Sequence, residues 1–409
     1  MRILISAGEA SGEMYGAQLI EALRRQSGQV GTGALAHPEG QSSASLANGQ
    51  LEYFGVGGEK MRAAGCDIVV DAKELSVVGI TEILGHLPKI WRLFHKLIAQ
   101  ADKRRPGLAV VIDSPAFNWR VARQMKKRGI PVVYYVCPQF WAWRQGRVRL
   151  LRKYVDKALV IFPFEEKFYR ERGVNAEFVG HPLAELPRPA ISREDYAAQH
   201  GLALSKPWIT LMPGSRTKEV RMNLPEMLWA AELLGTDYNF ILPVAPTVSK
   251  TLIRELLSKD DGATASIHLT DSDAIPALAH SRAGIIASGT ATVEAAMMET
   301  PFVMVYRVSR LTYLLGRWTV KVPHFAMVNL IAGEEVVPEL VQQAFTAERV
   351  AAEIKQIIPD GAPRQKMIDG LRRVKQLLRG SLEGHAPERA ARAVADLLRA
   401  RSFGEPLLE

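Results

Sequence analysis

Short continuous apolar runs recur through the first half of the chain, at RILISA (2–7), Asp67–Val70, Leu108–Ile112, Pro131–Val136 and Lys157–Phe162. Runs without polar alternation are the pattern of strands buried on both faces. Between them lie segments with helical spacing, the first over Glu13–Arg25 with Tyr15, Leu19, Ile20 and Leu23 on one side. Strand and helix in strict alternation predict a doubly wound α/β domain around a parallel sheet. Residues 28–50, rich in Gly, Ser and Ala and without periodicity, read as a mobile surface insertion.

After GHPLAELPRPA (180–190) a second series begins with WITLMPGS, NFILPVAP, ASIHL, RAGIIAS and PFVMVYRV, separated by helical segments such as Leu224–Leu234. The pattern predicts a second α/β domain of the same kind, a linker near 183–205, and a ligand cleft between the domains at the carboxyl ends of the strands. From Pro338 onward the chain reads as mostly helical, ending in two basic helices around 364–379 and 388–401.

Composition adds limits to that picture. A chain of 409 residues exceeds what one hydrophobic core serves, in keeping with two domains. The start MRILISAGEASGE lacks the apolar core and cleavage site of a secretory signal, so an intracellular protein is expected. No apolar run reaches the roughly 20 residues that span a bilayer. Cys66 and Cys137 stand far apart in apolar surroundings, which excludes a disulfide framework or CxxC site and predicts two buried thiols. The net charge of +9 favours an anionic partner: nucleic acid, a phosphorylated substrate or an anionic membrane surface.

Candidate chemistry falls where strands give way to helices. Gly8-Glu9-Ala10-Ser11-Gly12-Glu13 follows the first strand, where glycines let backbone amides face an anionic ligand, or simply make a tight turn. It is not GxGxxG, and the second strand, LEYFGVGG, ends in glycine where a ribose-binding carboxylate would stand, which disfavours hydride transfer. Asp113 ends the run LAVVI and can accept a proton from an attacking hydroxyl, or serve as a helix N-cap. In the second domain Pro213-Gly214-Ser215-Arg216 places a guanidinium suited to a diphosphate. Ser288-Gly289-Thr290-Ala291-Thr292-Val293-Glu294 places small hydroxyl residues at a helix start, with Glu294 either on ribose hydroxyls or in a capping box. Asp271-Ser272-Asp273 reads as a helix cap rather than a metal site, because a proline follows at 276. There is no zinc spacing, no G-x-S-x-G elbow and no Walker loop.

Two segments carry surface patterns. Leu87, Ile90, Trp91, Phe94, Leu97 and Ile98 form a helical stripe with Lys89, Arg92, His95 and Lys96 between them, fitting either a membrane-surface helix or one facing the core. Trp141-Ala142-Trp143-Arg144-Gln145-Gly146-Arg147, continuing to Arg149, Arg152, Lys153 and Lys157, suits lipid headgroups, a sugar phosphate or single strands. No nucleic-acid-binding motif accompanies it.

Taken in order, GEASGE (8–13), GVGGEKMRAAGC (55–66), ELSVVGITEILG (74–85), DSPAFN (113–118), FWAWRQGRV (140–148), FPFEEKFY (162–169), FVGHP (178–182), PGSR (213–216), SGTATVE (288–294) and VNLIAG (328–333) resemble the lipid A disaccharide synthase family over residues 2 to about 340. The resemblance implies a GT-B fold: a first domain over 1–183, a second over 184–364, and final helices from about 365 to 409 crossing back to the first. It implies inverting, metal-independent transfer, without a cofactor, of 2,3-diacylglucosamine from its UDP donor to 2,3-diacylglucosamine 1-phosphate. Asp113 becomes the expected base, Glu9 and Ser11 the acceptor side, and Arg216, Ser288, Gly289, Thr290, Glu294 and Asn329 the donor side.

The implied setting is the cytoplasmic face of the inner membrane, with peripheral contact to its lipids, no nucleic-acid partner, and a homodimer left open. Departures from the family pattern are Glu13 for the usual Asp, and Ser114 and Ala116 for the usual Ala and second Asp. The competing readings are a UDP-N-acetylglucosamine 2-epimerase on the same fold and a nucleotide-dependent binding protein without chemistry.

Overall fold

A computed structural model describes residues 1–32, 51–76, 83–258, 265–271, 274–309, 313, 322–380 and 383–402. The chain divides into two compact units, Met1–Pro182 with Gly380–Glu409, and Leu183–Arg379.

The first unit holds a seven-stranded sheet of β1 (Arg2–Ala7), β2 (Glu52–Gly57), β3 (Cys66–Asp71), β4 (Leu108–Ile112), β5 (Val132–Tyr135), β6 (Lys157–Val160) and β7 (Ala176–Phe178). Its order is β3-β2-β1-β4-β5-β6-β7, all parallel. The second unit holds β8 (Trp208–Met212), β9 (Asn239–Val244), β10 (Ser266–Asp271), β11 (Ala283–Ala287), β12 (Phe302–Tyr306) and β13 (Glu339–Val341). These pair in parallel in the order β10-β9-β8-β11-β12-β13. Each sheet reverses direction once, between β1 and β4 in one and between β8 and β11 in the other. In open α/β sheets, ligands bind outside the carboxyl ends of the strands at that reversal.

The apolar runs are strands for the expected reason: Leu108–Ile112, Val132–Tyr135 and Ala283–Ala287 are buried along their whole length, covered on both faces by helices. Cys66 and Cys137 are free and buried. The helix Ile83–Arg104 turns Leu93, Leu97 and Ile98 into the core and leaves Trp91 66% exposed, so most of its stripe faces protein.

Several boundaries differ from the sequence reading. The first helix runs over Ala10–Thr32, taking in residues 28–32 of the expected insertion, because elongating an existing helix fixes one residue per added hydrogen bond and no proline intervenes. Residues 33–50 lie outside the described set, as do 77–82 of ELSVVGITEILG. The strands β7 and β13 went unseen because three residues at a sheet edge are too short to carry a period. With β13, the region after Pro338 is not wholly helical.

Of the two final helices, only Ala386–Ser402 belongs with the first unit, where the buried Arg389 donates to Val179 O at 2.7 Å and Gln26 donates to Glu388 O at 3.1 Å. The helix Ala362–Arg379 belongs to the second. Its Arg372 and Lys375 both engage Glu299, and Lys375 also caps the carbonyl end of the helix Thr290–Met298 through Met297 O. The return to the first unit therefore begins at residue 380 rather than 365.

Candidate functional site

In the first unit, the loops after β1 and β4 meet at the sheet reversal. Gly8 is required there by proximity: a Cβ at that position would lie 2.5 Å from Ser114 Oγ. Glu9 and Ser11 are exposed at the start of the helix that follows β1. Glu13 points elsewhere, accepting from the Lys60 amide at 2.7 Å and so capping the short helix Glu59–Ala63. The longer carboxylate found in place of Asp thus has a structural task at the start of that helix.

Asp113 emerges at the carboxyl end of β4 with φ +48°, followed by Ser114 at +44°. Two consecutive left-handed residues that are not glycine carry strain, and such strain persists only where surroundings hold it. Here the Asp113 carbonyl accepts from Tyr134 Oη at 2.9 Å and from Asn118 Nδ2 at 2.8 Å, while its amide donates to Tyr135 O at 3.1 Å. Asn118, fully buried, also donates to Ile112 O and Ser6 O and accepts from Ser6 Oγ at 2.6 Å, tying β1 to β4. The N-cap of the helix Pro115–Lys127 is Ser114, so Asp113 is not the cap. Burial first, and the negative charge of Glu9 second, push its carboxyl up to about 6, against a hydrogen bond from the Ser114 amide. A carboxyl poised just below neutral pH suits proton abstraction.

Glu165 and Asn118 escaped sequence reasoning, although both stand inside quoted motifs. Glu165 is buried and accepts from Trp141 Nε1 at 2.9 Å and from the amides of Ile161 and Phe162. Burial pushes its carboxyl up to about 7 in spite of those three donors. The available signal was its place three residues after Phe162 at a Pro-opened helix start, where a carboxylate reaches back to free amides. Trp141, expected on the surface, is therefore buried, and only Trp143 of the pair is exposed.

In the second unit, the loops after β8 and β11 occupy the same topological place. Gly214, at φ +119°, lets the turn pass the Glu219 side chain, which a Cβ would meet at 2.7 Å. Glu219 accepts from the Ser215 and Arg216 amides and pairs with Arg216 Nη1 at 2.9 Å. Arg216 is largely exposed, so this pairing contributes little and leaves the guanidinium available to an anion.

Ser288 donates to Phe325 O at 2.8 Å, Gly289 is the N-cap residue, and Thr290 is exposed at the first helical position. Glu294 forms no capping box. It has no hydrogen-bond or ion-pair partner among the described residues, and burial raises its carboxyl above the ordinary range. A half-buried carboxylate without a partner at a sheet reversal is ready to accept from ligand hydroxyls. Asp271 ends β10 in an ion pair with Lys250, while 272 and 273 lie outside the described residues.

Asn329 corrects an expectation. It is fully buried, accepts from the Val336 and Val337 amides, and donates to Val337 O and Glu339 Oε1. Its amide has no capacity left for a nucleotide. Glu339 in turn holds the Phe325 and Ala326 amides, so the pair positions the carbonyl that Ser288 engages. Asn329→Ala is expected to destabilise the second unit by about 2–4 kcal/mol, through lost bonds and a cavity. UDP affinity, measured calorimetrically well below the lowered Tm, should change less than about tenfold (1.4 kcal/mol). A larger loss at unchanged Tm would restore direct contact.

The family model for lipid-A-disaccharide synthetase matches residues 3–394. The chain belongs to that family. It is 50% identical over 396 residues to the lipid-A-disaccharide synthase of Koribacter versatilis (strain Ellin345), covering 96% of this chain and 98% of that relative. Membership makes it a glycosyltransferase of lipid A disaccharide synthesis.

Among solved structures, a UDP co-structure of S. aureus MnaA matches with a TM-score of 0.63 at 12% identity over 100% of this chain and 98% of that one. The calicheamicin glycosyltransferase CalG4 matches at 0.56 and 16%, over 97% and 98%. At such identities these establish the fold alone: two Rossmann-like units of GT-B type.

Proposed function

We propose that this synthase transfers 2,3-diacylglucosamine from its UDP donor to 2,3-diacylglucosamine 1-phosphate, with inversion and without a metal. Asp113 takes the proton of the acceptor 6-hydroxyl as that oxygen bonds to the anomeric carbon. The bond from that carbon to the diphosphate breaks, and its electron pair leaves with UDP. Glu9 and Ser11 belong to the acceptor side. On the second unit, Arg216 and the backbone around Gly289 and Thr290 meet the charge on the leaving diphosphate, and Glu294 the ribose.

The observation that carries the reading is Asp113 itself, strained, half-buried and held with a carboxyl near 6 at the sheet reversal. The helix Ile83–Arg104, with Trp91, Arg92 and Lys96 exposed, supports a place at the cytoplasmic face of the inner membrane, and no described helix is long and apolar enough to cross one.

The test is to supply purified protein with both lipids in EDTA and to measure UDP and disaccharide together. Equal amounts of the two products are expected. UDP-N-acetylglucosamine epimerised without lipid acceptor, and no disaccharide formed, would replace this reading with the epimerase.

A further inference from the structure

The segment Arg144–Lys153, RQGRVRLLRK, carries five cations and no acidic residue. None of Arg144, Arg147, Arg149, Arg152 and Lys153 makes an ion pair among the described residues. Some cations of the first unit differ: Arg104, Lys126, Arg128, Lys157 and Arg170 each pair with a carboxylate. Five cations within ten residues, and no carboxylate paired to any of them among the described residues, raise local potential for an anion.

The fold separates three of these cations by position. Arg144 and Arg147 lie in the connection leaving the carboxyl end of β5, and β5 pairs directly with β4, Ile112 opposite Tyr135. The connection thus begins beside Asp113, whose amide donates to Tyr135 O. Arg152, by contrast, lies against Gly173, 3.3 Å from where a Cβ there would stand, in the turn that leads into β7 and so at the amino edge of the sheet. Arg144 and Arg147 thus lie at the edge of the sheet that carries the expected base, and Arg152 does not.

The connection is also held firmly. Val136 at φ +58° and Arg144 at +57° are left-handed residues other than glycine, the first β-branched. From beneath, Glu165 takes Trp141 Nε1, Tyr169 donates its hydroxyl to Pro138 O, and Phe140 stacks on Trp119. At the exposed tip, Gln145 donates to Trp141 O, and the Arg144 guanidinium lies over the Trp143 ring, 4.4 Å from its centroid. Stacking fixes the plane of a guanidinium while leaving its N–H edge free, the arrangement that receives a phosphate in bidentate fashion.

We infer that Arg144 and Arg147 bind the phosphomonoester of the acceptor, using the rigid connection after β5 to set the distance between that phosphate and the hydroxyl presented to Asp113. The inference rests on the acceptor reading proposed above. It makes the phosphate, rather than the sugar alone, the group by which the first unit selects its acceptor.

The test compares wild type, Arg144→Ala/Arg147→Ala and Arg152→Ala in mixed micelles, with 2,3-diacylglucosamine 1-phosphate and with the corresponding methyl glycoside that lacks phosphate. The double variant should raise KM for the phosphorylated acceptor about tenfold or more, leave KM for the donor unchanged, and act on the methyl glycoside as wild type does. Arg152→Ala should match wild type throughout. Equal slowing on both acceptors would overturn the inference in favour of loop integrity alone. Unchanged kinetics with weakened binding to anionic vesicles would overturn it in favour of bilayer headgroups.

A binding measurement separates this inference from the reaction assignment. Glucosamine 1-phosphate, titrated by NMR, should perturb wild type and not the double variant, and glucosamine should perturb neither. That result would stand even if no disaccharide formed, and equal perturbation of both proteins would overturn it.

Discussion

Asp113→Asn is expected to abolish sugar transfer and to raise the melting temperature of the protein at pH 7. The first effect follows from removing the proton acceptor, which costs about 10²–10⁴ in rate when a general base is lost. The second follows from the raised carboxyl. Between the ordinary value of 3.8 and about 6, the folded chain holds a proton that the unfolded chain has released. Stability therefore falls as pH rises through that window and stays reduced above it. A displacement of this size corresponds to roughly 3 kcal/mol, and because Asn must still bury an amide, a net gain on the order of 1–2 kcal/mol is expected. For a unit of this size that is roughly 2–4 °C in Tm per kcal/mol.

Calorimetry of the two proteins at pH 4 and pH 7 checks the sign, since the gain should shrink at the lower pH. In wild type, kcat/KM should climb with pH and level off above about 6. A variant that still transfers sugar, or a wild-type profile flat through that range, would remove Asp113 from the role of base and leave it as an orienting group.

Asn118→Ala should produce the opposite combination, with stability and rate falling together. Asn118 is fully buried and connects Ser6, Ile112 and Asp113 through four hydrogen bonds. Truncation leaves buried carbonyls with fewer donors and a small cavity, for a cost of about 3 kcal/mol or more, at the upper end of single substitutions. It also removes one of the two donors that hold the Asp113 carbonyl while that residue is left-handed, the other being Tyr134. Relaxation of φ would swing the carboxyl away from its place, and misplacement of a catalytic group by about 1 Å can cost 10²-fold.

The discriminating readout is kcat at a temperature where circular dichroism shows the variant fully folded. A tenfold or greater fall, with donor KM unchanged, marks Asn118 as a positioning residue for Asp113. Full kcat in a destabilised variant would mean that Asn118 only joins β1 to β4.

The strands and the places of the loops were legible in the sequence because they depend on local pattern. Apolar runs such as Leu108–Ile112 and Ala283–Ala287 specify strands buried on both faces. Their alternation with helices specifies parallel pairing, and the glycine and hydroxyl motifs mark where each strand ends. GEASGE, Asp113, PGSR and SGTATVE could thus be placed at carboxyl ends of strands without coordinates.

What each side chain does there was decided by the tertiary structure. Asn118 meets Ser6 across 112 residues of chain, and Asn329 turns inward because Val336, Val337 and Glu339 arrive to complete its amide. Trp141 is buried and Trp143 exposed because Glu165, on the helix after β6, takes the indole N–H of the first. Hydrophobic periodicity reports which face of an element is covered. It carries no information on which polar group, brought from elsewhere in the chain, satisfies a given donor, and that pairing separates a residue that meets the ligand from one that holds the site in shape.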